Sequence, residues 1–188
     1  MFEPTTYLER RKTLKEKLGR GLVLLPGNDE SPMNYADNPY HFRQDSTFLY
    51  YFGLSQPGLN AVIDVDNDRE ILFGDDYTVE DFVWMGPQPT MAELAAKCGV
   101  REVRPAAMVA NELDSAKHRK QTLHFLPPYR SENKLKLQRW TVTAPGEDGG
   151  YSVDLVRAVV SQREIKTEEE IRELHRAVDI SVDMHVAA

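Results

Sequence analysis

The stretch that decides the fold runs from residue 60 to residue 73 and reads Asn-Ala-Val-Ile-Asp-Val-Asp-Asn-Asp-Arg-Glu-Ile-Leu-Phe. Two apolar runs, 60–64 and 69–73, flank a short segment rich in Asp and Asn, which is typical of a β-hairpin. The alternating aspartates in this turn are also a feature of calcium-binding loops. The sixth position of such a loop would be Arg69 instead of the required glycine, so the spacing argues against calcium.

The segment before the hairpin predicts a helix followed by a buried strand. Residues 21–27, Gly-Leu-Val-Leu-Leu-Pro-Gly, form a short apolar run that ends in Pro-Gly, as expected for a strand covered on both faces. Upstream, Thr6 and Glu9 have capping-box spacing, and Gly19 provides a stop. Three leucines recur near the helical period between them, namely Leu8, Leu14 and Leu18.

The segment after the hairpin alternates between helices and strands. From Pro89 onward we expect a helix over 90–97, a strand over 102–104, a helix over 105–116 and a strand over 122–126. Alternation of this kind favours an α/β domain with largely parallel strands. Combined with the antiparallel hairpin, it predicts a mixed β-sheet flanked by helices.

Two connecting segments interrupt this pattern. Residues 28–47 are polar and longer than most loops of compact domains, and long loops are often functional. The aromatic run 48–52 then ends at Gly53, and Ser46 is a candidate cap for a short helical turn there. Near the other end, the Pro- and Gly-rich stretch 144–150 marks a break after a Lys- and Leu-rich segment that predicts one further helix.

The C-terminal part predicts two more helices. The first covers about 151–162, and Thr167 with Glu170 forms a second capping box. The second helix carries an apolar stripe that continues to the end of the chain, at Ile171, Leu174, Val178, Val182 and Val186. We expect residues from Thr167 onward to pack poorly on the domain. The stripe suggests either a fragment of a longer protein or an oligomer interface.

Composition narrows the function classes. The chain has 188 residues, of which 41% are hydrophobic and 28% charged, and this excludes collagen-like, mucin-like and fully disordered proteins. The net charge of −7 disfavours nucleic-acid binding. No apolar run is long enough for a signal peptide or a membrane span, and Cys98, the single cysteine, cannot form an internal disulfide. We therefore expect a cytoplasmic protein with no membrane partner.

Catalytic motifs are largely missing from the sequence. It lacks G-x-S-x-G, G-x-G-x-x-G, a Walker loop and H-E-x-x-H. Ser131 and Lys134 match S-x-x-K, a pattern short enough to arise by chance. His175 and Asp179 share a helix face, but two ligands without a third make a poor metal site. No catalytic or metal-binding residue is therefore assigned.

Several segments, in the same order, carry a family resemblance. They are Tyr-His-Phe-Arg-Gln-Asp-Ser-Thr-Phe-Leu-Tyr-Tyr-Phe-Gly at 40–53, Gln-Pro-Gly at 56–58, the start of the hairpin at 61–66, Trp-Met-Gly at 84–86 and Arg-Glu-Ile-Lys-Thr-Glu-Glu-Glu-Ile at 163–171. Together they closely resemble the N-terminal domain of the creatinase-like Xaa-Pro peptidases, aminopeptidase P and prolidase. The Phe-Arg-Gln-x-Ser-x-Phe block is the most specific of them.

The resemblance implies a domain organisation. Residues 1–162 would form the N-terminal α/β domain, and 163–188 the linker and first helix of a pita-bread catalytic domain. In that domain two Asp, one His and two Glu bind two divalent metal ions, usually manganese, which activate water for cleavage of the bond before proline. None of those ligands falls on this chain, so the resemblance implies that it holds no cofactor and is inert alone.

The resemblance also implies partners and one binding residue. The family's N-terminal domain helps to assemble dimers or tetramers and restricts the active site to short peptide ends. From the residues alone Trp84 is either a core cover or an exposed anchor, and composition favours the core. In the family it matches a tryptophan associated with the substrate pocket of a neighbouring subunit. Arg43 and Asp45 match the family block, and we expect them to pin the long loop through charge-assisted hydrogen bonds.

Two alternatives to an aminopeptidase stay open. The parent is a prolidase if its substrates are Xaa-Pro dipeptides, and an inactive pita-bread interaction protein if the metal ligands are missing. The sequence beyond Ala188 distinguishes the interaction protein from the two peptidases.

Overall fold

A computed structural model describes residues 2–141 and 150–188. The predicted break at 144–149 lies outside the described residues. The helices are α1 (Pro4–Leu18), α2 (Ser46–Phe52), α3 (Val79–Met85), α4 (Met91–Cys98), α5 (Val109–His118), α6 (Ser131–Thr141), α7 (Val153–Arg163) and α8 (Glu168–Ala187). The strands are β1 (Leu22–Pro26), β2 (Asn60–Asp64), β3 (Arg69–Phe73), β4 (Glu102–Arg104) and β5 (Leu123–His124).

The five strands form one mixed sheet in the order β4-β3-β2-β1-β5. The hairpin β2–β3 and the pair β1–β2 are antiparallel, whereas the two outer pairs, β3–β4 and β1–β5, are parallel. This confirms the predicted fold class. The hairpin has the predicted bounds, and β5 is shorter than the predicted strand over 122–126.

Helices cover both faces of the sheet, because alternate strand residues point to opposite sides. On one face, Val23 and Ile63 pack with residues of α1, α2, α4 and α7. On the other face, Leu24 and Val62 pack with residues of α5 and α6. The central strand β1 is therefore buried on both faces, as its continuous apolar run predicts.

Two predicted helix caps are wrong by one to three residues. Helix α1 begins at Pro4, whose fixed φ suits the first helical position, and Thr6 lies inside the helix instead of capping it. Helix α2 is capped by Asp45, because its carboxylate accepts hydrogen bonds from the N–H groups of Thr47 and Phe48. The predicted cap Ser46 is the first residue of the helix. Where several neighbouring residues can each cap a helix, the sequence alone does not fix the residue at which the helix starts.

The predicted starts of α4 and α8 are confirmed, whereas the helix predicted over 105–116 is a 3-10 turn at Ala106–Met108 followed by α5. Helices α4 and α8 begin with the full capping boxes of Thr90 and Thr167, and Gly99 ends α4 in the left-handed conformation. None of the helices in 2–141 and 150–188 combines the length and apolar character that a membrane crossing requires.

The buried face of α1 differs from the predicted leucine stripe. Leu8 is 39% exposed, whereas the Arg11 side chain is completely buried. Its guanidinium donates hydrogen bonds to Glu70 and to the carbonyl oxygens of Tyr51 and Cys98, at 2.8, 2.8 and 2.9 Å. The charge is tolerated in the core because each of these groups accepts from it.

Candidate functional site: the α3 arm and its cleft

Helix α3 is a short arm between the end of β3 and the start of α4. Its first turn is closed by a capping box, in which the Thr78 hydroxyl accepts from the Asp81 N–H and the Asp81 carboxylate accepts from the Thr78 N–H. Hydrogen bonds from the Thr78 side chain and backbone hold the pKa of Asp81 below its usual range. At the other end, Gly86 adopts a φ of 74° and its N–H donates to the Phe82 carbonyl. The helix is thus defined locally, by its own ends.

The arm exposes every apolar side chain that it carries. No residue of α3 is buried, and Trp84 is 82% exposed. The exposed apolar residues are Val79, Phe82, Val83, Trp84 and Met85. Exposed apolar side chains grouped on one short element are typical of interaction sites in folded proteins. The structure thus places the Trp84 ring outside the core, and the residue's role in substrate binding stays a prediction.

A cleft of about 430 Å³ lies beside the base of this arm. Its rim carries Glu30, Asp75 and Tyr77, and its floor includes the apolar side chain of Met91. Burial raises the pKa of the Tyr77 hydroxyl, and the nearby carboxylates of Glu30 and Asp81 act in the same direction. The cleft is therefore acidic at its rim and apolar at its floor.

The long loop before α2 is pinned mainly by Gln44, which is 2% exposed. Its side-chain oxygen accepts from the N–H groups of Asn28 and Asp45 at 2.6 and 2.9 Å, and its nitrogen donates to the Gln56 carbonyl at 2.7 Å. Gln44 belongs to the specific sequence block at 40–53, but nothing in its type distinguishes it there from its charged neighbours. Sequence reasoning therefore missed it.

The two charged neighbours of Gln44 behave differently from each other. Asp45 forms the expected charge-assisted hydrogen bonds, although they cap α2. Arg43 is exposed, and within the part of the chain that the structure describes only its carbonyl oxygen is engaged, by the Asn28 side chain. The expectation that the Arg43 side chain pins the loop is therefore wrong.

Helix α8 provides a second exposed apolar surface. None of its residues is buried, which confirms the prediction that this segment packs poorly on the domain. The exposed members of its stripe are Leu174, Val178, Val182 and Val186, with Ile180 and Met184 beside them. Its first turn is tied to α1 through Glu169 and Glu170.

The described residues contain no group of three or more His, Cys, Asp or Glu side chains that could hold a metal ion. His175 and Asp179 are exposed on α8. In the hairpin turn, Asp64 accepts hydrogen bonds from Asn67 and Gln121. The other two aspartates of the turn also bind protein donors: Asp66 accepts from the Gly21 N–H and Asp68 pairs with Lys15, and these contacts lower the pKa of both carboxyls.

The remaining chemically active side chain, Cys98, is buried in the core. Its exposed fraction is 0%, and burial raises the pKa of its thiol. A thiol in this state is neither a ready nucleophile nor a metal ligand. This confirms the prediction that Cys98 fills space as a small apolar residue.

A cluster of charged side chains, which sequence reasoning also missed, lies on the face of the sheet that α5 covers. Glu112 of α5 is 3% exposed and forms ion pairs with Arg69, Arg104 and Arg119. The arginines come from β3, β4 and the end of α5, so only the folded chain brings them together. The cluster joins α5 to the edge of the sheet.

This fold and sequence are similar to those of known proteins. A family model described as "Aminopeptidase P, N-terminal domain" matches residues 7–124. A probable Xaa-Pro aminopeptidase from Aspergillus clavatus is 26% identical over 95% of this chain. The human Xaa-Pro dipeptidase is 32% identical over 51% of this chain. Escherichia coli aminopeptidase P, solved with the inhibitor Pro-Leu, superposes over 98% of this chain with a TM-score of 0.75 at 22% identity.

The chain spans less than half the length of each of these proteins. It covers 35% of the Aspergillus protein, 20% of the human dipeptidase and 44% of the Escherichia coli chain. The structural likeness to the bacterial enzyme shows the fold that the two share.

Proposed function

This chain belongs to the family of aminopeptidase P N-terminal domains, and we propose from this that it is the non-catalytic domain of an Xaa-Pro aminopeptidase. The parent enzyme would remove the N-terminal residue that precedes proline. The observation that carries the proposal is the exposed Trp84 arm, because an apolar helix held out from a complete core serves contacts outside the domain.

The metal chemistry of the parent does not fit onto this chain. The residues that the structure describes offer no cluster of three or more ligands, and the carboxylates of the hairpin turn are bound by protein donors. We therefore assign the two divalent metal ions, with manganese as the expected metal, to a C-terminal catalytic domain. Residues 1–162 would then be the N-terminal domain and 163–188 the linker with the first helix of the catalytic one.

The apolar stripe of α8 supports this division. A helix that exposes Leu174, Val178 and Val182 has a face ready to pack against further protein, and burial of such side chains contributes about 1.5–3 kcal/mol each. We propose that the catalytic domain of the same protein covers this face of α8. Because α8 follows the linker, it would pack against the catalytic domain more than against the β-sheet.

Trp84 is the proposed substrate-binding residue. An exposed indole offers a flat apolar surface that suits the ring of a proline-containing peptide. The arm would reach the pocket of a neighbouring subunit in a dimer or tetramer, and the domain would admit only short or unstructured peptide ends. We place the enzyme in the cytoplasm, where the single thiol of this chain, Cys98, stays reduced.

A second candidate is the N-terminal domain of a prolidase, which cleaves Xaa-Pro dipeptides. The 32% identity to the human Xaa-Pro dipeptidase favours it, although over only 51% of this chain. The Aspergillus match covers 95% of the chain and favours an aminopeptidase. An inactive interaction protein is the remaining alternative and requires that the metal ligands be missing.

The sequence encoded beyond Ala188, followed by an assay of the complete protein, tests the proposal. We expect two Asp, one His and two Glu at the metal positions, and manganese-dependent cleavage of a Xaa-Pro-Xaa tripeptide with little cleavage of the Xaa-Ala-Xaa control. Preference for a Xaa-Pro dipeptide would support prolidase, and missing ligands would support the interaction protein.

The 188-residue chain alone is the matched control for that assay. It should neither hydrolyse the tripeptide nor retain manganese, since a two-metal site requires several convergent carboxylates. Metal-dependent turnover by the purified chain, with contaminating peptidases excluded, would overturn the proposal.

A further inference from the structure

Helix α8 meets the rest of the described chain through its first two turns, where Ile171 is half-buried and Glu173 lines a cleft with Phe2 and Tyr7. None of its residues is buried, and residues 164–168 before and at its start are exposed. Two side-chain contacts tie its first turn to α1. The Thr6 hydroxyl donates to Glu169 at 2.9 Å, and an Arg10 terminal nitrogen lies 3.1 Å from a Glu170 oxygen.

Arg10 is held in place by groups other than Glu170. Its side chain is 7% exposed, and its guanidinium donates to the Tyr50 carbonyl at 2.9 Å. The guanidinium carbon lies 4.1 Å from the centre of the Tyr50 ring, 4.9 Å from Phe2 and 5.9 Å from Tyr7. Cation–π attraction to three rings fixes the direction of the side chain. These contacts direct the ion-pairing nitrogen towards Glu170, and its contact with that carboxylate is electrostatic, without hydrogen-bond geometry.

The chain on the other side of the linker is equally well fixed. The Gln162 side chain donates to the Arg10 carbonyl at 3.0 Å and accepts from the Tyr51 hydroxyl at 2.8 Å. Between this anchor and the base of α8, a cleft of about 540 Å³ separates α1 from the linker. Polar side-chain contacts therefore span the junction, beside the half-buried Ile171 at the base of α8.

We propose that the junction at 164–167 is a hinge and that the Arg10–Glu170 ion pair is its latch. Helix α1 then sets the direction in which α8 leaves the sheet domain, and opening of the latch lets α8 swing about its base. The pair is suited to this role because its two side chains are only 7% and 15% exposed, so water and salt screen it less than a surface pair.

A hinge at the base of α8 would change the position of any partner that packs on its apolar stripe. A helix of 20 residues is about 30 Å long, so a rotation of about 10° at the base moves its tip by about 5 Å. The latch therefore fixes the position of that partner relative to the Trp84 arm. The identity of the partner rests on the proposed function, whereas the hinge and its latch do not.

Spin-label distance measurements on the 188-residue chain test the latch. Labels are attached at K117C on α5 and D183C near the tip of α8, both at exposed positions, while Cys98 is too buried to label. Dilution with unlabelled protein removes distances between molecules. In E170Q, which keeps the shape of the side chain and loses its charge, we expect the distance distribution to broaden or shift by about 5 Å, given the length of the helix.

The matched control is E173Q, one turn further along the same helix, which removes only an exposed pair with Arg176. It should keep the parent distribution, and R10M should reproduce the effect of E170Q. Melting temperatures close to that of the parent show that each variant is folded. An E170Q distribution identical to that of the parent would overturn the proposal, and so would equal broadening in E173Q. Neither result bears on peptidase activity, so failure here is distinguishable from failure of the proposed function.

Discussion

Helices α1 and α8 are both rich in charged residues, yet they differ in burial. Helix α1 buries four side chains, Tyr7, Arg10, Arg11 and Leu14. Helix α8 has the more regular apolar stripe and buries none of its residues. Two arginines of α1 are thus better covered than any valine of α8.

The difference shows that burial depends on what a helix lies against. Helix α1 contacts α2, α4 and α7 above the sheet, and these elements supply both apolar neighbours and hydrogen-bond acceptors. Arg11 is stable in the core because Glu70 and two carbonyl oxygens accept from it. Helix α8 leaves the domain near its base, so the members of its apolar stripe from Leu174 onward stay exposed in the described part of the chain.

The largest expected effect comes from Arg11. Arg11→Ala leaves the Tyr51 and Cys98 carbonyls without their donor and creates a cavity, so we expect the free energy of unfolding to fall by about 3–5 kcal/mol. Urea unfolding measures this. The control Lys12→Ala, at a side chain 63% exposed one residue later, should change it by less than about 0.5 kcal/mol. A similar small effect for both would mean that α1 is not anchored as described.

Leucines at the two helices give the next comparison. Leu14 is completely buried in α1, so Leu14→Ala should lower the free energy of unfolding by about 2–5 kcal/mol. Leu174 of α8 is 52% exposed, so Leu174→Ala should change it by less than about 0.5 kcal/mol in the monomeric chain. Equal losses from the two substitutions would show that the domain itself covers α8.

The regular parts of the fold were predictable from local patterns. The hairpin was located to the residue because its two apolar runs and polar turn are contiguous in sequence. The burial of Arg11 was not predictable, because its acceptor Glu70 lies 59 residues away. Its position, four residues after Tyr7 and three before Leu14, was the one local sign of it.

The candidate site was predictable only in part. The sequence singled out Trp84 but left core and surface open, because exposure depends on α3 standing away from the sheet. The sequence assigned the pinning of the long loop to Arg43 instead of Gln44, again because the contacts depend on the folded chain. Gln44 binds Asn28 and the Gln56 carbonyl, and these contacts exist only once the loop closes on the core.

The next prediction concerns the rate at which thiol reagents modify the chain, and it requires no change in the free energy of unfolding. Cys98 is buried and the pKa of its thiol is raised, so the native chain should react with a thiol reagent only as fast as it unfolds. A cysteine introduced on α8, V182C, stands at a position 53% exposed and should react at once. Rapid modification of Cys98 under native conditions would show that the packing beneath α1 opens locally.

The central claim, that the α3 arm serves the peptide site of an Xaa-Pro peptidase, is tested most directly by Trp84→Ala in the complete enzyme. Kinetics and thermal melts are measured on the same preparation, with Val79→Ala, at an equally exposed position of the same helix, as the control. We expect kcat/KM for a Xaa-Pro tripeptide to fall by about tenfold while Tm stays unchanged, since the lost contact is an aromatic one to substrate. A fall of several degrees in Tm with unchanged kinetics of the folded enzyme would contradict the account.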